Sequence, residues 1–467
     1  MKKISIWMVI LMVSFASVFT YTGTAEASYE PGVGTVILVD ADSGKILFEQ
    51  NAEVALPPAS MTKMMSEYLI LEAINDGDIS WDTTVPVSEY LAGLSHNRSL
   101  SNVPMRIDEE YTVEELYESV AIYSANAATM ALAELISGSE GSFVEKMNER
   151  GSEIGMGTTL REAGDEYGLD NLEEIASEEL GDFQFVNSTG LPNHLLDGNH
   201  PDGTGETEDN FMSAKASAIL AYHLVNDYPE VLDTAKIPEK IFREGTEDAI
   251  TMQNWNWMIE GTQLSDLDNE DVDGLKTGHT NAAGYTFTGT AERDGQRLVS
   301  VVMGAESEVD RFNETGRILD WGFENFSEQE LFPADMTLDG YETLPVKKGQ
   351  EEEVTIASTD AISMVIHEDD LEAYSYSVQL DEDQLSEDGE LEAPIESGMV
   401  VGQMVIEYEG ENEETFLPGE GGETTSVDIV TTGEVERAGW FSLTFQSIGD
   451  FFSGMWTNVA DTVRGWF

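Results

Sequence analysis

Pro57-Pro58-Ala59-Ser60-Met61-Thr62-Lys63-Met64-Met65 is the stretch on which the reading of this 467-residue chain turns. The prolines favour an extended approach and disfavour helix before them. The run that follows, through Tyr68, Leu69, Ile70, Leu71, Ala73 and Ile74, is apolar nearly all round and predicts a buried helix. Ser60 then falls in the first turn, where free N–H groups and the positive dipole end stabilise a developing oxyanion. Lys63 lies three residues on, its Cβ about 5–6 Å from that of the serine. A buried neutral lysine can take the proton that makes serine a nucleophile. Taken alone, Ser-x-x-Lys also fits a capping serine beside a surface lysine.

Outward from that stretch, the N-terminal end reads as an export signal. Lys2 and Lys3 precede an apolar run from Ile4 to Phe19, and Ala25-Glu26-Ala27 supplies small residues before Ser28. The expected organisation is a signal peptide over 1–27, a catalytic domain over 28–330, a β-rich domain over 331–436 and a C-terminal helix over 437–467.

Ninety-one acidic residues face 22 basic ones, a net charge of −69. That excludes a nucleic-acid surface, because no basic patch survives it. Aromatic and aliphatic content is ordinary, so the chain is not disordered. The charge reads as solvation in high salt, where screening damps self-repulsion; an alkaline habitat is the alternative. The absence of cysteine removes disulfides and Cys–metal chemistry.

Gly34–Val39 and Lys45–Phe48 flank the turn residues Asp40 to Gly44 and predict a hairpin. Helical patterns follow from Thr112 and through Met130, Leu132 and Leu135 to Ser137-Gly138. Gly151 to Asp182 is acidic and weakly periodic, which suggests a surface insertion. Phe185 to Pro192 reads as a strand entering a turn, and Met212 to Val225 as an amphipathic helix. Strand-like Asp273 to His279 leads into Tyr285 to Thr290, then an Asp294-Gly295 turn and Arg297 to Met303. This second hairpin has the first available to pair beside it. Arg311 to Phe326 closes the domain as a helix. The fold class is therefore α+β, an antiparallel sheet with helices.

From Leu331, short strands such as Tyr374 to Leu380 and Val401 to Tyr408 suggest a small β-sandwich. The tail from Trp440 to Phe467 places Phe441, Phe445, Ile448, Phe452, Met455, Val459 and Val463 at helical spacing. It is too polar to span a bilayer and reads as an in-plane membrane-surface anchor.

Two further motifs bear on Ser60. Ser124-Ala125-Asn126 supplies a hydroxyl and an amide. Lys276-Thr277-Gly278 places a lysine and a hydroxyl suited to a substrate carboxylate, with a glycine that admits a ligand backbone. The three in this order are the set found in penicillin-binding proteins and class A β-lactamases.

The chain resembles the low-molecular-mass penicillin-binding proteins of the type-5 D-alanyl-D-alanine carboxypeptidase family, closest to Bacillus-like members. Ala59 to Lys63, Tyr123 to Asn126, Phe185-Val186-Asn187, Asp273 to Gly278 and Arg311 to Glu314 carry the likeness, which spans the mature chain. It implies a transpeptidase-like catalytic domain, a β-rich second domain and a membrane-surface anchor. The implied substrate is the peptidoglycan stem peptide, with β-lactam antibiotics as the other ligands and no cofactor or metal. By the same resemblance Ser60 is the acylated nucleophile and Lys63 its base. Ser124 relays a proton, and Asn126 positions the substrate amide. Lys276 and Thr277 hold the carboxylate. The backbone N–H groups of Ser60 and His279 form the oxyanion hole, and Arg311 adds charge near the carboxylate.

Three rival readings stand beside this one. A β-lactamase would use a Glu-x-x-x-Asn carboxylate, matched only by Glu206 and Asn210. A histidine-dependent hydrolase would use His279, although no nucleophile elbow holds Ser60. A wall-binding module would carry no chemistry.

Overall fold

The strand Thr35–Asp40 lies one in from the edge of a five-stranded antiparallel sheet. Across the sheet run Ile46–Gln50, Thr35–Asp40, Gln296–Ala305, Gly284–Arg293 and Val272–Thr280. The first hairpin pairs with the last strand of the second, Ile37 opposite Val301. Val272–Thr280 is thereby left as an edge. This is a computed structural model that describes residues 29–410, 414–419 and 426–439. The described residues from Pro31 onward form one unit. The expected signal peptide lies outside the described residues, as does the expected anchor helix from 440 on. Among the described residues no helix is long and apolar enough to cross a membrane.

Alternation along the strands divides the sheet into two faces. Ile37, Val39, Val299, Val301 and Met303 join the main core with the helix Ala214–Asp227. Leu38 and Leu298 crowd Gly322 of the closing helix Glu308–Asn325, where an added Cβ would come within 2.6 Å of Leu38. At the heart of the main core is Lys63–Asn75, buried at every position from Lys63 to Ala73. The predicted all-round burial holds, although it includes Glu67 and Glu72. Val113–Tyr123, Asn126–Ser137 and Glu140–Glu153 contribute to the same core. The first of these starts on a capping box, in which Thr112 Oγ1 accepts from Glu115 N–H and Glu115 accepts from Thr112 N–H.

Three expectations change. The acidic stretch 151–182 carries two short helices, Leu160–Tyr167 and Leu172–Ser177. Leu160, Leu172, Ile175 and Ala176 form a small core of their own with Val186 and Phe211. Thr159 and Asn171 cap these two short helices. The helix expected from Met212 starts at Ala214, with Ser213 as its cap, and is buried on nearly every side instead of amphipathic. Finally, the strand expected from Phe185 is confined to Phe183–Gln184, paired with Phe211–Met212, and Val186 to Pro192 forms a loop.

Beyond Asn325 the chain becomes all-β. A six-stranded sheet runs from Tyr374–Leu380 through Val400–Tyr408, Ser426–Thr431, Glu353–Ser358 and Thr343–Lys347 to Leu391–Glu392. The ribbon Phe326–Phe332 with Ile362–His367 shares its core through Ile362, Met364 and Ile366. This β-rich part is strapped to the five-stranded sheet within the same unit. Ile46 N–H donates to Thr415 O and Leu417 N–H to Gly44 O, both at 2.8 Å, and Leu417 is buried in the main core. Buried Lys45 donates to Val365 O and to the Tyr374 hydroxyl at 3.1 Å each, and pairs with Glu414.

Candidate active site

The chain enters the site through a tight 3₁₀ turn, Ala59–Thr62, which runs directly into the helix Lys63–Asn75. Ser60 thus sits in a 3₁₀ turn where a first α-helical turn was expected. Lys63 is wholly buried. Its Nζ lies 3.1 Å from Ser60 Oγ, 2.8 Å from Asn126 Oδ1 and 2.6 Å from Thr189 O. Burial pushes the Lys63 amine well below its ordinary range, and the Lys276 cation pushes it further.

Each partner of Lys63 is itself held. Asn126 opens its helix, and both its backbone N–H and its side-chain amide donate to Ser101 O, at 2.9 and 3.0 Å. That leaves Oδ1 facing the lysine. Thr189 belongs to a loop organised by Asn187, which is fully buried. Asn187 Oδ1 accepts from Thr189 N–H, the Thr189 hydroxyl and Gly190 N–H. The same side chain donates to Leu191 O and Asn193 Oδ1. Ser188 is fixed in turn by Glu140 Oε1, which accepts from its N–H and its hydroxyl, while Ser66 donates to Ser188 O.

Ser124 ends the helix Val113–Tyr123 in a left-handed conformation, φ 61°. Its hydroxyl is buried without a hydrogen-bond partner. A buried donor left unpaired is costly, and Ser124 stands two residues from Asn126. Lys276 and Thr277 lie buried on the edge strand. Burial lowers Lys276 to about 8, with a nearby carboxylate, Glu67, opposing and Arg311 assisting.

The edge strand packs directly on the Ser60 turn, and Gly278 is the reason it can. A Cβ there would lie 2.4 Å from Thr286 Oγ1, 2.5 Å from Pro58 O and 3.1 Å from Ser60 N. The glycine therefore makes room for the protein's own backbone, whereas a ligand's approach was expected to require it. Arg311 packs on the same strand, and its charge reaches Lys276. It is buried and donates to Gly278 O at 3.0 Å and Thr286 O at 3.4 Å, bracing two strands. His279 is exposed and stacks on Tyr285, centroids 4.1 Å apart.

The structure thus brings Ser60, Lys63 and Asn126 into direct contact and sets Gly278 against the Ser60 turn. Four contributors were not singled out from sequence: Thr189, Gly190, Glu140 and Glu67. Only the Asn-Ser-Thr-Gly turn signal pointed to the first two. The β-lactamase rival loses its carboxylate, because Glu206 is exposed. Its expected companion Asn210 instead ties Val186 N–H and Asn187 N–H into the loop.

The fold is the mixed α/β arrangement of the penicillin-binding proteins, a catalytic domain followed by a β-sheet domain. A crystal structure of the peptidoglycan synthesis regulatory factor PBP3 from Streptococcus pneumoniae is similar to 87% of this chain over 100% of its own, with a TM-score of 0.65 and 30% identity. The D-alanyl-D-alanine carboxypeptidase profile matches residues 23–307, and that of the penicillin-binding protein 5 C-terminal domain matches 326–437. The chain belongs to the D-alanyl-D-alanine carboxypeptidase family. Among its relatives, carboxypeptidase DacC of Escherichia coli is 30% identical over 433 residues, 92% of this chain and 88% of that one. DacF of Bacillus subtilis is 27% identical over 429 residues, 92% of each.

Proposed function

We propose that this chain removes the terminal D-alanine from peptidoglycan stem peptides through an acyl-enzyme on Ser60. The observation that carries the assignment is the set of three atoms around Lys63 Nζ. A neutral amine has two protons and one lone pair. Two of its neighbours, Asn126 Oδ1 and Thr189 O, only accept hydrogen bonds. They take both protons, and the lone pair is left for the Ser60 hydroxyl. The uncharged lysine is satisfied when Ser60 donates to it, which is the arrangement a general base requires.

In the forward step Ser60 Oγ attacks the carbonyl of the penultimate D-alanine as its proton passes to Lys63. The backbone N–H groups of Ser60 and His279 receive the oxyanion. The proton travels by way of Ser124 to the departing amine, and D-alanine leaves. Lys63, neutral again, takes a proton from the water that attacks the ester and returns it to Ser60 Oγ as the acyl–oxygen bond breaks and the shortened peptide leaves. Lys276 and Thr277 hold the substrate carboxylate, and Arg311 stiffens the strand that carries them. That strand is an edge, so an extended peptide can lie along it. A β-lactam acylates the same serine, but its ring-opened leaving group stays attached.

The address is part of the proposal. The N-terminal pattern supports export, and the Trp440–Phe467 pattern supports a peripheral anchor at the outer face of the cytoplasmic membrane. The test is release of D-alanine from a D-Ala-D-Ala-terminated peptide by the parent and by Lys63→Ala. Release by the parent alone supports the reading. Equal release by both, or rapid turnover of penicillin by the parent, refutes it.

A further inference from the structure

Lys63, Lys276 and Glu67 are buried together in the interior beside Ser60, and the mechanism above uses only the two lysines. Lys63 is 0% exposed, and Lys276 and Glu67 are 3% exposed each. Glu67 stands four residues beyond Lys63 on the same helix, one turn further along the face that carries Lys63. Among the described residues neither lysine has an ion-pair partner within 4 Å. Glu67 is the carboxylate that both of them feel, Lys276 more strongly than Lys63. From the neighbouring helix comes Tyr117, whose hydroxyl is buried without a partner and senses Glu67 first among the charges around it, then Glu230. From the closing helix comes Arg311, whose charge presses on Lys276.

Two lysines packed into a crevice repel, and burial drives both toward the neutral form. The proposed reaction needs them in opposite states. Lys276 must be an ammonium to hold a carboxylate, and Lys63 must be a free amine to accept a proton. One buried negative charge suffices to keep one cation in place. Burial raises the Glu67 carboxyl, and even with Lys276 and then Lys63 drawing it down it stands at about 7. The carboxylate and the Lys276 ammonium therefore support one another.

We propose that Glu67 is a positioning residue that decides which lysine carries the charge, its carboxylate holding Lys276 cationic while Lys63 stays free for the Ser60 proton. This rests on the assignment of Ser60 and Lys63 above. Its consequence is a pH profile. Acylation rises with pH as Lys63 loses its proton and falls as Lys276 loses its own. Removing the negative charge disfavours both cations, so both limbs move toward acid.

The experiment measures the second-order rate of acylation by fluorescent penicillin across pH for the full chain, Glu67→Gln and Glu67→Asp. Folding is followed by thermal melting. In Glu67→Gln the alkaline limb should move toward acid by about two pH units, the size expected of a unit charge several Å away at an effective dielectric near 20. The acid limb should move the same way, and Glu67→Asp should bring both part of the way back. A lower rate with unmoved limbs would mean that Glu67 only supports the fold, which overturns the proposal. If Glu67→Gln does not fold, Glu67→Asp decides: an alkaline limb displaced toward acid supports the role and an unmoved one refutes it. A parent that is not acylated at all would overturn the Ser60–Lys63 assignment and this role with it.

Discussion

Gly190→Ala tests the geometry of the site more sharply than removal of any reacting group. Gly190 has φ +77°, and a Cβ built on it would lie 1.8 Å from Ala59 O and 2.4 Å from Ala59 C. Cβ contacts below 3.0 Å essentially never occur, so one backbone must retreat by more than an ångström. Both backbones carry a contact of Lys63. Ala59 immediately precedes Ser60, and Gly190 immediately follows Thr189, whose carbonyl is 2.6 Å from Nζ. A displacement of about 1 Å in a reacting group costs on the order of 10²-fold in rate. Left-handed strain of about 1 kcal/mol and overpacking of about 1–3 kcal/mol give a stability loss of about 2–4 kcal/mol. The control is Gly138→Ala, where φ is +78° but nothing lies within 4 Å. It should lose about 1 kcal/mol from strain alone and keep its acylation rate. Fluorescent-penicillin acylation and thermal melting of both variants read the two effects. Parent-like acylation by folded Gly190→Ala would refute the claim that this loop and the Ser60 turn together set the base.

Two further outcomes follow from the strap and from the charge. Lys45→Met strips Glu414 of its cation, leaving only the Tyr374 hydroxyl against it, and should destabilise the junction by on the order of 2 kcal/mol. It should also speed limited proteolysis within Glu414–Pro418 while leaving penicillin acylation unchanged. The net charge of −69 should make stability rise with salt. Going from about 0.1 M to about 1 M shortens the screening length from about 10 Å to about 3 Å and damps self-repulsion. A melting temperature that falls over that range would refute the high-salt reading.

Much of this molecule is legible in its sequence, for identifiable reasons. The two hairpins show because Asp40 to Gly44 and Asp294-Gly295 are turn chemistry between β runs. The buried helix shows because its apolar run is continuous. The reacting groups show because Ser60 and Lys63 share one helix face, where a fixed spacing translates into a distance. What stayed hidden depends on contacts between segments far apart in sequence. Thr189 acts through a backbone carbonyl, which no residue type announces. Gly278 looked like an opening for ligand, but the carbonyl that fills its Cβ space comes from Pro58. Arg311 reads as a charge near the carboxylate, but its hold on the Gly278 and Thr286 carbonyls shows only in the fold. Glu67 sits in a mostly apolar run, and nothing in its sequence neighbourhood singles it out. Its setting appears once the edge strand brings Lys276 to that helix.

The most direct test of the central claim is mass spectrometry of the protein after brief exposure to penicillin, with the modified peptide sequenced and its decay timed. The account predicts one adduct, on Ser60, that persists long after free drug is removed and does not form in Lys63→Ala. An adduct on any other residue, or one that forms equally well without the Lys63 amine, would contradict it.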